Sequence, residues 1–517
     1  MHVDQAEQAR NAGMQLHHFH GGLRLHHNKK ISCETPLERT PLPGLLLVPL
    51  LQQYGREAEV TVTAGQKVSK GDQIGCFAHL GSGCVHAPTS GVVKAVARRP
   101  ISHPSGADGW CVVIAPDGLD QWKELEPITD WPDADPALLR QKIRNSGIVG
   151  LGGAVFPTAF KTDEAMKRGI HTLILNGSEC EPYISCDEML MREQPDLVVL
   201  GARILQRAVG ATRTVIAIED QMGAVNQALK QAVKSAGDDT IEIVKVTTIY
   251  PEGGEKQLIQ VLTGLEVPSG GRPADLGLLC QNVATASAVA QAVVEGKPLV
   301  ERIVTVTGNG IRKPRNLVAR IGTPISDLVE QCGGYTNDVA RLVLGGPMMG
   351  YALNSDSNPV VKAANCILAL TESDIRQAQV ELPCIRCGEC ARVCPALLLP
   401  QQLDWLIRNE QWDDAADGGL ADCIECGCCD FVCPSHIPLV AWFRFGKSEL
   451  RSLAVERNQA EKAKHRHEAR DARLIRSKRE RRQRMDEKKR ALKDKAEKQK
   501  KLTEAISRAR ARQDRNE

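Results

Sequence analysis

The chain has 517 residues, 18 of them cysteine, and 66 Lys+Arg against 63 Asp+Glu for a net charge of +3. It is too long for a single core, no stretch approaches the roughly 20 apolar residues that cross a bilayer, and the opening MHVDQAEQARNAG lacks the apolar run of a signal peptide. A secreted disulfide scaffold is thereby disfavoured, and the cysteines are expected as thiols or thiolates in a reducing cytoplasm.

The first predicted element is a glycine-turned strand and loop in which His17, His18, His20, His26 and His27 surround Phe19 and Gly21-Gly22. No spacing there is diagnostic of a metal site. Residues 56–115 alternate apolar and turn residues in short strands. Within them, His86-Ala87-Pro88-Thr89-Ser90-Gly91-Val92-Val93 resembles the hairpin end of biotinyl/lipoyl-type barrel-sandwich domains. No lysine stands at the matching tip, so a structural domain without carrier function is expected.

A helix is predicted over 137–146, ending at Gly147. The loop Gly147-Ile148-Val149-Gly150-Leu151-Gly152-Gly153-Ala154-Val155-Phe156-Pro157-Thr158 follows, with Lys161 just beyond. Such glycines let backbone N–H groups approach a phosphate, and the following helix N-terminus favours the anion. The loop is not a dinucleotide fingerprint, because it follows a helix and carries Val155 at the third glycine position. Strands are predicted at 172–175, 214–218 and 241–247 with a helix at 221–236, an α/β pattern. Their ends lead into Asn176-Gly177-Ser178-Glu179-Cys180-Glu181-Pro182 and Tyr250-Pro251-Glu252-Gly253-Gly254-Glu255, while Gln281-Asn282-Val283-Ala284-Thr285 follows a glycine-rich loop. In a doubly wound sheet such loops meet over a ligand, and together these suit a flavin or nucleotide. Strands at 302–307 and 341–344 bracket a small unit with a helix at 325–332, a β-grasp-like pattern.

Two identical ladders follow: Cys384, Cys387, Cys390, Cys394 before Pro395, and Cys423, Cys426, Cys429, Cys433 before Pro434. Each reads C-x-x-C-x-x-C-x-x-x-C-P, the bacterial ferredoxin run, in which the fourth cysteine ligates the other cluster. Cys433 is thus expected to complete the cubane of Cys384, Cys387 and Cys390, and Cys394 that of Cys423, Cys426 and Cys429. A pair of zinc knuckles is the alternative. Cys428 is left over as a packed thiol.

From Gly446 to Glu517 there are 26 Lys+Arg against 13 Asp+Glu, a net +13 that leaves −10 for the rest. This tail is too poor in apolar residues for a core and reads as a solvated single helix or as disorder. Its basic excess suits an anionic membrane surface, and no motif supports specific nucleic-acid binding.

The stretches 147–161, 176–182, 250–255 and 281–285 resemble the flavin- and NADH-binding subunit of respiratory complex I. With the ladders added, the match over about residues 15–445 is closer to the C subunit of the Rnf (Rsx) electron-transport complex. The resemblance implies a multidomain α/β and α+β chain: an N-terminal region with a barrel-sandwich-like domain over 1–125, a doubly wound FMN/NAD-binding domain over 126–285, and a β-grasp-like domain and linker over 286–375. A two-cluster ferredoxin-like domain over 376–440 and a basic tail over 441–517 complete it. It further implies a peripheral subunit on the cytoplasmic face of the bacterial inner membrane, carrying FMN and two [4Fe–4S] clusters. Such a subunit passes electrons between NAD(H) and ferredoxin-type or redox-regulator acceptors in a complex of several subunits that moves ions. Carried over, Gly150, Gly152 and Lys161 line the FMN phosphate, and Asn176, Glu179, Tyr250, Gly253, Gln281 and Asn282 match flavin-contacting positions. Phe156, Glu181 and Glu255 match positions around the nicotinamide cofactor. Leu151, Val155, Gly254 and Gln281 stand where the complex I pattern has Arg, Gly, an acidic residue and Asn. No side chain is expected to act as acid or base. The competing reading is a redox adaptor carrying only the two clusters beside a flavin fold that binds no flavin.

Overall fold

A computed structural model describes residues 15–55, 57–76, 83–375 and 380–513. The opening stretch 1–14, where no signal peptide is expected, and the expected boundary at 376 lie outside the described residues. Residues 1–444 and 445–517 form two separate units.

In the first unit, a short helix α1 (Lys30–Cys33) and strand β1 (Glu38–Arg39) precede two small sheets. One sheet runs β2 (Leu46–Pro49), β8 (Asp108–Pro116), β7 (Gly91–Pro100), β4 (Lys67–Val68), and the other β3 (Glu59–Val60), β5 (Gln73–Cys76), β6 (Val85–His86). Leu46, Val48, Ile74, Val85, Val93, Val112 and Ile114 fill the space between them. The tip that bears lysine in carrier domains is here the buried run 87–90.

The α/β domain starts with α2 (Pro136–Asn145), whose first turn is fixed by Pro136 and by Asp135 accepting from Ala137 N. After the glycine loop come α3 (Thr158–Arg168), β9 (Thr172–Gly177), α4 (Cys186–Glu193), α5 (Pro195–Val209), β10 (Arg213–Glu219), α6 (Gly223–Ala236), β11 (Ile241–Val246), α7 (Glu255–Thr263), β12 (Leu278–Asn282) and α8 (Val283–Val294). All four strands are parallel in the order β11-β10-β9-β12. Alternate residues face opposite sides. Leu173, Leu175, Ile216 and Ile218 pack with residues of α5, α6 and α8, whereas Ile174, Val215, Ala217 and Val246 pack with α7. The sheet is therefore covered on both faces. The tight α5–α8 contact depends on Gly201, where a Cβ would lie 1.9 Å from the Ala286 carbonyl.

The next sheet contains β13 (Glu301–Thr307), β14 (Arg315–Arg320), β15 (Val339–Leu344), β16 (Tyr351–Ala352) and β17 (Cys366–Thr371), with β1 as one edge in the order β1-β14-β13-β17-β15-β16. Helix α9 (Ile325–Gln331) buries Ile325, Leu328 and Val329 against it. Four short helices carry and follow the ladders: α10 (Glu389–Arg392), α11 (Pro400–Arg408), α12 (Trp412–Asp417) and α13 (Cys428–Val432).

A last helix, α14, runs Leu439–Gln513. Every residue from 454 to 512 is exposed. Its Ala, Glu, Lys, Arg and Gln are strong helix formers, and i,i+4 pairs such as Glu497–Lys501 at 3.0 Å add to it. Of the two states left open by the sequence, helix is the one observed.

Lys362 ties three parts of the first unit together. Its buried Nζ donates to the Gly147 carbonyl at 2.6 Å and the Cys84 carbonyl at 3.2 Å. Burial pushes this ammonium down from 10.5 to about 7, with Cys84 opposing the shift, and the same charge helps burial hold His86 down at about 3. Between pH 7 and 10.5 the unfolded chain holds more protons at this site, so stability rises with pH across that window. Lys362→Met is expected to flatten the rise, by up to about 1.4 kcal/mol per pH unit, in denaturation curves taken at pH 7, 8.5 and 10.

Candidate functional site

The glycine loop is closed on itself by Gly150 N donating to the Phe156 carbonyl at 2.9 Å and Val155 N to the Gly150 carbonyl at 3.1 Å. Leu151 N donates to Thr285 Oγ1 at 2.9 Å, which pins the loop to α8 beside the end of β12. A Cβ at Gly152 would meet only Asn282, at 3.5 Å, and one at Gly153 would meet nothing within 4 Å. Open space therefore faces Gly153, and Gly152 lies in ordinary contact distance of Asn282. Phe156 sits at the rim in edge contact with Phe160, centroids 5.5 Å apart.

The strand ends bring most of the expected residues to this loop. Asn176 donates to the Gly253 carbonyl at 2.8 Å and accepts from Ser178 N at 3.0 Å, joining the ends of β9 and β11. Asn282 caps α8 by accepting from Ala284 N and Thr285 N, and donates to Asp187 at 2.5 Å. Lys161 does not stand free: its Nζ meets Glu255 Oε1 at 2.5 Å and the Cys280 carbonyl at 3.1 Å. Gln281 Nε2 and Ser178 Oγ are buried with no hydrogen-bond partner. Such orphaned groups are costly, and a polar ligand over the strand ends would satisfy them.

The two glutamates of the 176–182 loop are committed elsewhere. Glu179 accepts from Asp187 N at 3.1 Å and Glu188 N at 3.3 Å, the unpaired donors at the start of α4. Burial pushes its carboxyl up to about 8, with Lys29 opposing. Glu181 accepts from Met348 N at 2.7 Å and Met349 N at 3.0 Å, and burial raises its carboxyl too. Neither carboxylate stands open at the glycine loop.

The cysteines fall into two pockets. Of the ladder cysteines, Cys384, Cys387, Cys390 and Cys433 line one; Cys394, Cys423, Cys426 and Cys429 line the other, which Cys428 also borders. Each set thus holds three thiols of one ladder and the fourth of its neighbour. The repeat extends to the backbone. Arg386 and Gly388 in one ladder, Glu425 and Gly427 in the other, take positive φ of 55°, 79°, 58° and 78°. These left-handed turns aim N–H groups inward, as Glu425 N shows by donating to Cys423 Sγ at 3.4 Å. Cys384 and Cys387 are exposed, whereas Cys394, Cys426 and Cys429 are buried. Cys428 is fully buried among Cys180, Tyr250 and Val393.

The buried set abuts the strand-end loops. Tyr250 Oη donates to the Cys426 carbonyl at 2.6 Å, and Cys180 Sγ accepts from Gly253 N at 3.2 Å. Tyr250, Cys180, Cys426 and Val393 share one apolar cluster with Leu23, Leu25 and Met348. The N-terminal segment seals this seam. Leu23 exchanges backbone bonds with Tyr250, Gly22 N donates to the Val393 carbonyl at 3.0 Å, and His20 Nδ1 donates to the Cys394 carbonyl at 3.0 Å. Of the N-terminal histidines, His20 joins the seam through its ring, whereas His27 Nδ1 is buried without a hydrogen-bond partner. Sequence reasoning missed Cys180, Met348 and this seam; Cys180 lies inside the 176–182 stretch, but nothing local marks its partner.

Three family models match parts of the chain. Residues 17–119 match the family model "RnfC Barrel sandwich hybrid domain", 143–291 match "Nuo51 FMN-binding domain", and 303–352 match "SLBB domain". The chain is 45% identical to the C subunit of the ion-translocating oxidoreductase complex from Pseudomonas aeruginosa over 461 residues, 89% of this chain and 59% of that one. It therefore spans about three-fifths of that relative's length. To the proteins of the same name from Yersinia pestis and Yersinia pseudotuberculosis it is likewise 45% identical, over 89% of this chain and 74% and 69% of theirs. By that identity and coverage, the chain belongs to the family of C subunits of the ion-translocating oxidoreductase complex.

Proposed function

We propose that this chain is a peripheral subunit of a membrane-bound complex coupling electron transfer between NAD(H) and a ferredoxin-type or redox-regulator acceptor to ion translocation. It would hold FMN over the strand ends of the α/β domain and two [4Fe–4S] clusters in a ferredoxin-like domain. The observation that carries the reading is the junction: the pocket of Cys394, Cys423, Cys426 and Cys429 packs on the loops that end β9 and β11, through Tyr250 and Cys426. The names of the relatives and the match to an FMN-binding domain support it. Membrane attachment would come through partner subunits; no helix among the described residues is long and apolar enough to cross a bilayer.

The residues present fit both groups. Eight thiols in two sets of four suit two cubanes, and the open side of Gly153, next to Gly152, with the orphaned Gln281 and Ser178 suits a flavin phosphate and ring. FMN, when bound, supplies the exchange between a two-electron hydride donor and one-electron clusters. The chain's own residues bind and orient. Gly152 and Gly153 would offer backbone N–H groups, Asn176 holds the two strand-end loops together, and Tyr250 fixes the Cys426 backbone relative to them. Glu179 and Glu181 secure α4 and the 346–349 loop around the site.

The test is the visible spectrum of anaerobically purified protein during titration with NADH. Flavin bands that bleach, followed by loss of cluster absorption, are expected; clusters without any flavin would leave the adaptor reading standing. Gly152→Leu sharpens it. The new side chain meets only ordinary contacts at its Cβ, so the melting temperature should hold, while flavin content falls by about tenfold or more as the leucine fills the phosphate side. Full flavin in that variant would mean the pocket lies elsewhere.

A further inference from the structure

Two cysteines outside the ladders stand together in the barrel-sandwich domain. Cys76 ends β5, Cys84 precedes β6, and their Sγ atoms are 3.3 Å apart. The strands pair antiparallel with Gly75 opposite Val85, so the two cysteines are the next facing positions. Facing residues in such a ladder have Cα atoms about 4.5–5.5 Å apart, inside the roughly 4.4–6.8 Å that a disulfide spans. A bond would form by small side-chain rotations without moving the strands. Cys84 is buried and Cys76 half-buried.

The place of this pair gives it a consequence. The Cys84 carbonyl and the Gly147 carbonyl share the Lys362 ammonium. A Cβ at Gly147 would lie 2.1 Å from the Cys84 carbonyl, and one at Gly83 would lie 2.9 Å from Gly147 Cα. Gly83 and Cys84 are thus pressed against the residue that opens the glycine loop. Gln53 holds it there by accepting from Gly83 N at 3.3 Å.

We propose that Cys76 and Cys84 are a reversible disulfide site, and that the bond staples the β5–β6 hairpin beneath the glycine loop. The oxidant is a small-molecule disulfide such as oxidised glutathione. A thiolate at Cys76 attacks one of its sulfurs, the S–S bond of the oxidant breaks, and one glutathione thiol leaves. The Cys84 thiolate then displaces the second glutathione and forms the internal bond. Two protein thiols give up two protons and two electrons, and the oxidant takes up both. Cys76 takes the first step because it is accessible, while burial pushes the Cys84 thiol up to about 12 and makes it the slower, resolving partner. The site does not depend on the flavin and cluster reading.

The experiment equilibrates the full, cluster-loaded chain anaerobically in glutathione buffers of increasing oxidised fraction, with cluster absorption monitored as a control. After acid quench, alkylation and trypsin, the peptide 71–94 carries these two cysteines and no others. The expected result is a peptide lighter by two hydrogen atoms that resists alkylation and is restored by a dithiol reductant. Cys76→Ser should abolish that species while leaving the melting temperature close to that of the parent. Hydrogen exchange of the amides at 147–155 should slow severalfold on oxidation. A peptide alkylated twice at every buffer ratio, or glutathione retained on Cys76 without the internal bond, would overturn the site. Unchanged exchange at 147–155 with the bond formed would overturn the staple.

Discussion

Cys394→Ala is expected to remove about half of the protein's iron, and to remove it from the pocket of Cys423, Cys426 and Cys429. Cys394 stands in the first ladder by sequence but lines the second pocket in space. Its loss therefore leaves Cys384, Cys387, Cys390 and Cys433 intact as a set of four. A three-thiol site loses its cluster or keeps a labile one. Double variants make the assignment decisive. Cys394→Ala combined with Cys423→Ala should lose no more iron than Cys394→Ala alone, because both empty one pocket. Cys394→Ala combined with Cys384→Ala should lose nearly all of it. Iron and acid-labile sulfide analysis reads both. If instead the Cys394–Cys384 pair behaves as one site and the Cys394–Cys423 pair as two, each ladder keeps its own cysteine and the crossing is wrong.

Gly346→Ala is expected to destabilise the first unit by about 2–4 kcal/mol, a large effect for one methyl group. A Cβ there would sit 2.0 Å from Glu181 Cγ, near the root of a half-buried side chain whose carboxylate is held by two backbone N–H groups. Relief would require Glu181 to release Met348 N and Met349 N. The loop would then loosen where the Met348 carbonyl lies against Gly427, 3.1 Å from where a Cβ would stand, at the edge of the second cysteine pocket. The cause is separable from a general packing defect. In a Glu181→Ala background the same substitution has nothing to strike and should cost less than about 1 kcal/mol, a strong non-additivity. Chemical denaturation of the four proteins checks it; additive losses would show that the clash with Glu181 is not the origin.

Much of this architecture is legible in the sequence where a pattern repeats or a strand is uniformly apolar. The strands predicted at 172–175, 214–218 and 241–247 appear at Thr172–Gly177, Arg213–Glu219 and Ile241–Val246. The paired cysteine sets follow from the doubled ladder itself. Helix α8 gives no such signal: its sequence VATASAVAQAVV is small and apolar on nearly every side, so it lacks the polar face that marks a 3.6-residue period. Its start is nevertheless set by a single residue, Asn282, which the strand-end pattern singles out for the cofactor. Glu179 and Glu181 show the limit from the other side. The strand end marks their loop, but two residues apart on a turn they point to different donors, one to α4 and one to 348–349, and spacing cannot say so. The seam between Leu23, Tyr250 and Val393 is invisible in the sequence because no local pattern encodes contacts made hundreds of residues apart.

That seam bears on how the molecule is made. His20 and Cys394 are 374 positions apart, and at about 5–20 residues per second a ribosome needs roughly 20–75 seconds to get from one to the other. Throughout that interval the segment at 17–25 has been synthesised and its final lining has not. Tyr250 arrives midway and can take Leu23 into backbone pairing, but Val393, Cys394 and Cys426 come only near the end. A nascent chain halted before Val393 would carry a complete α/β sheet with Leu23 and Leu25 uncovered along one side, an adhesive edge of the kind that holdase chaperones recognise. The segment at 17–25, made long before its partners, is thus among the last to be locked in place.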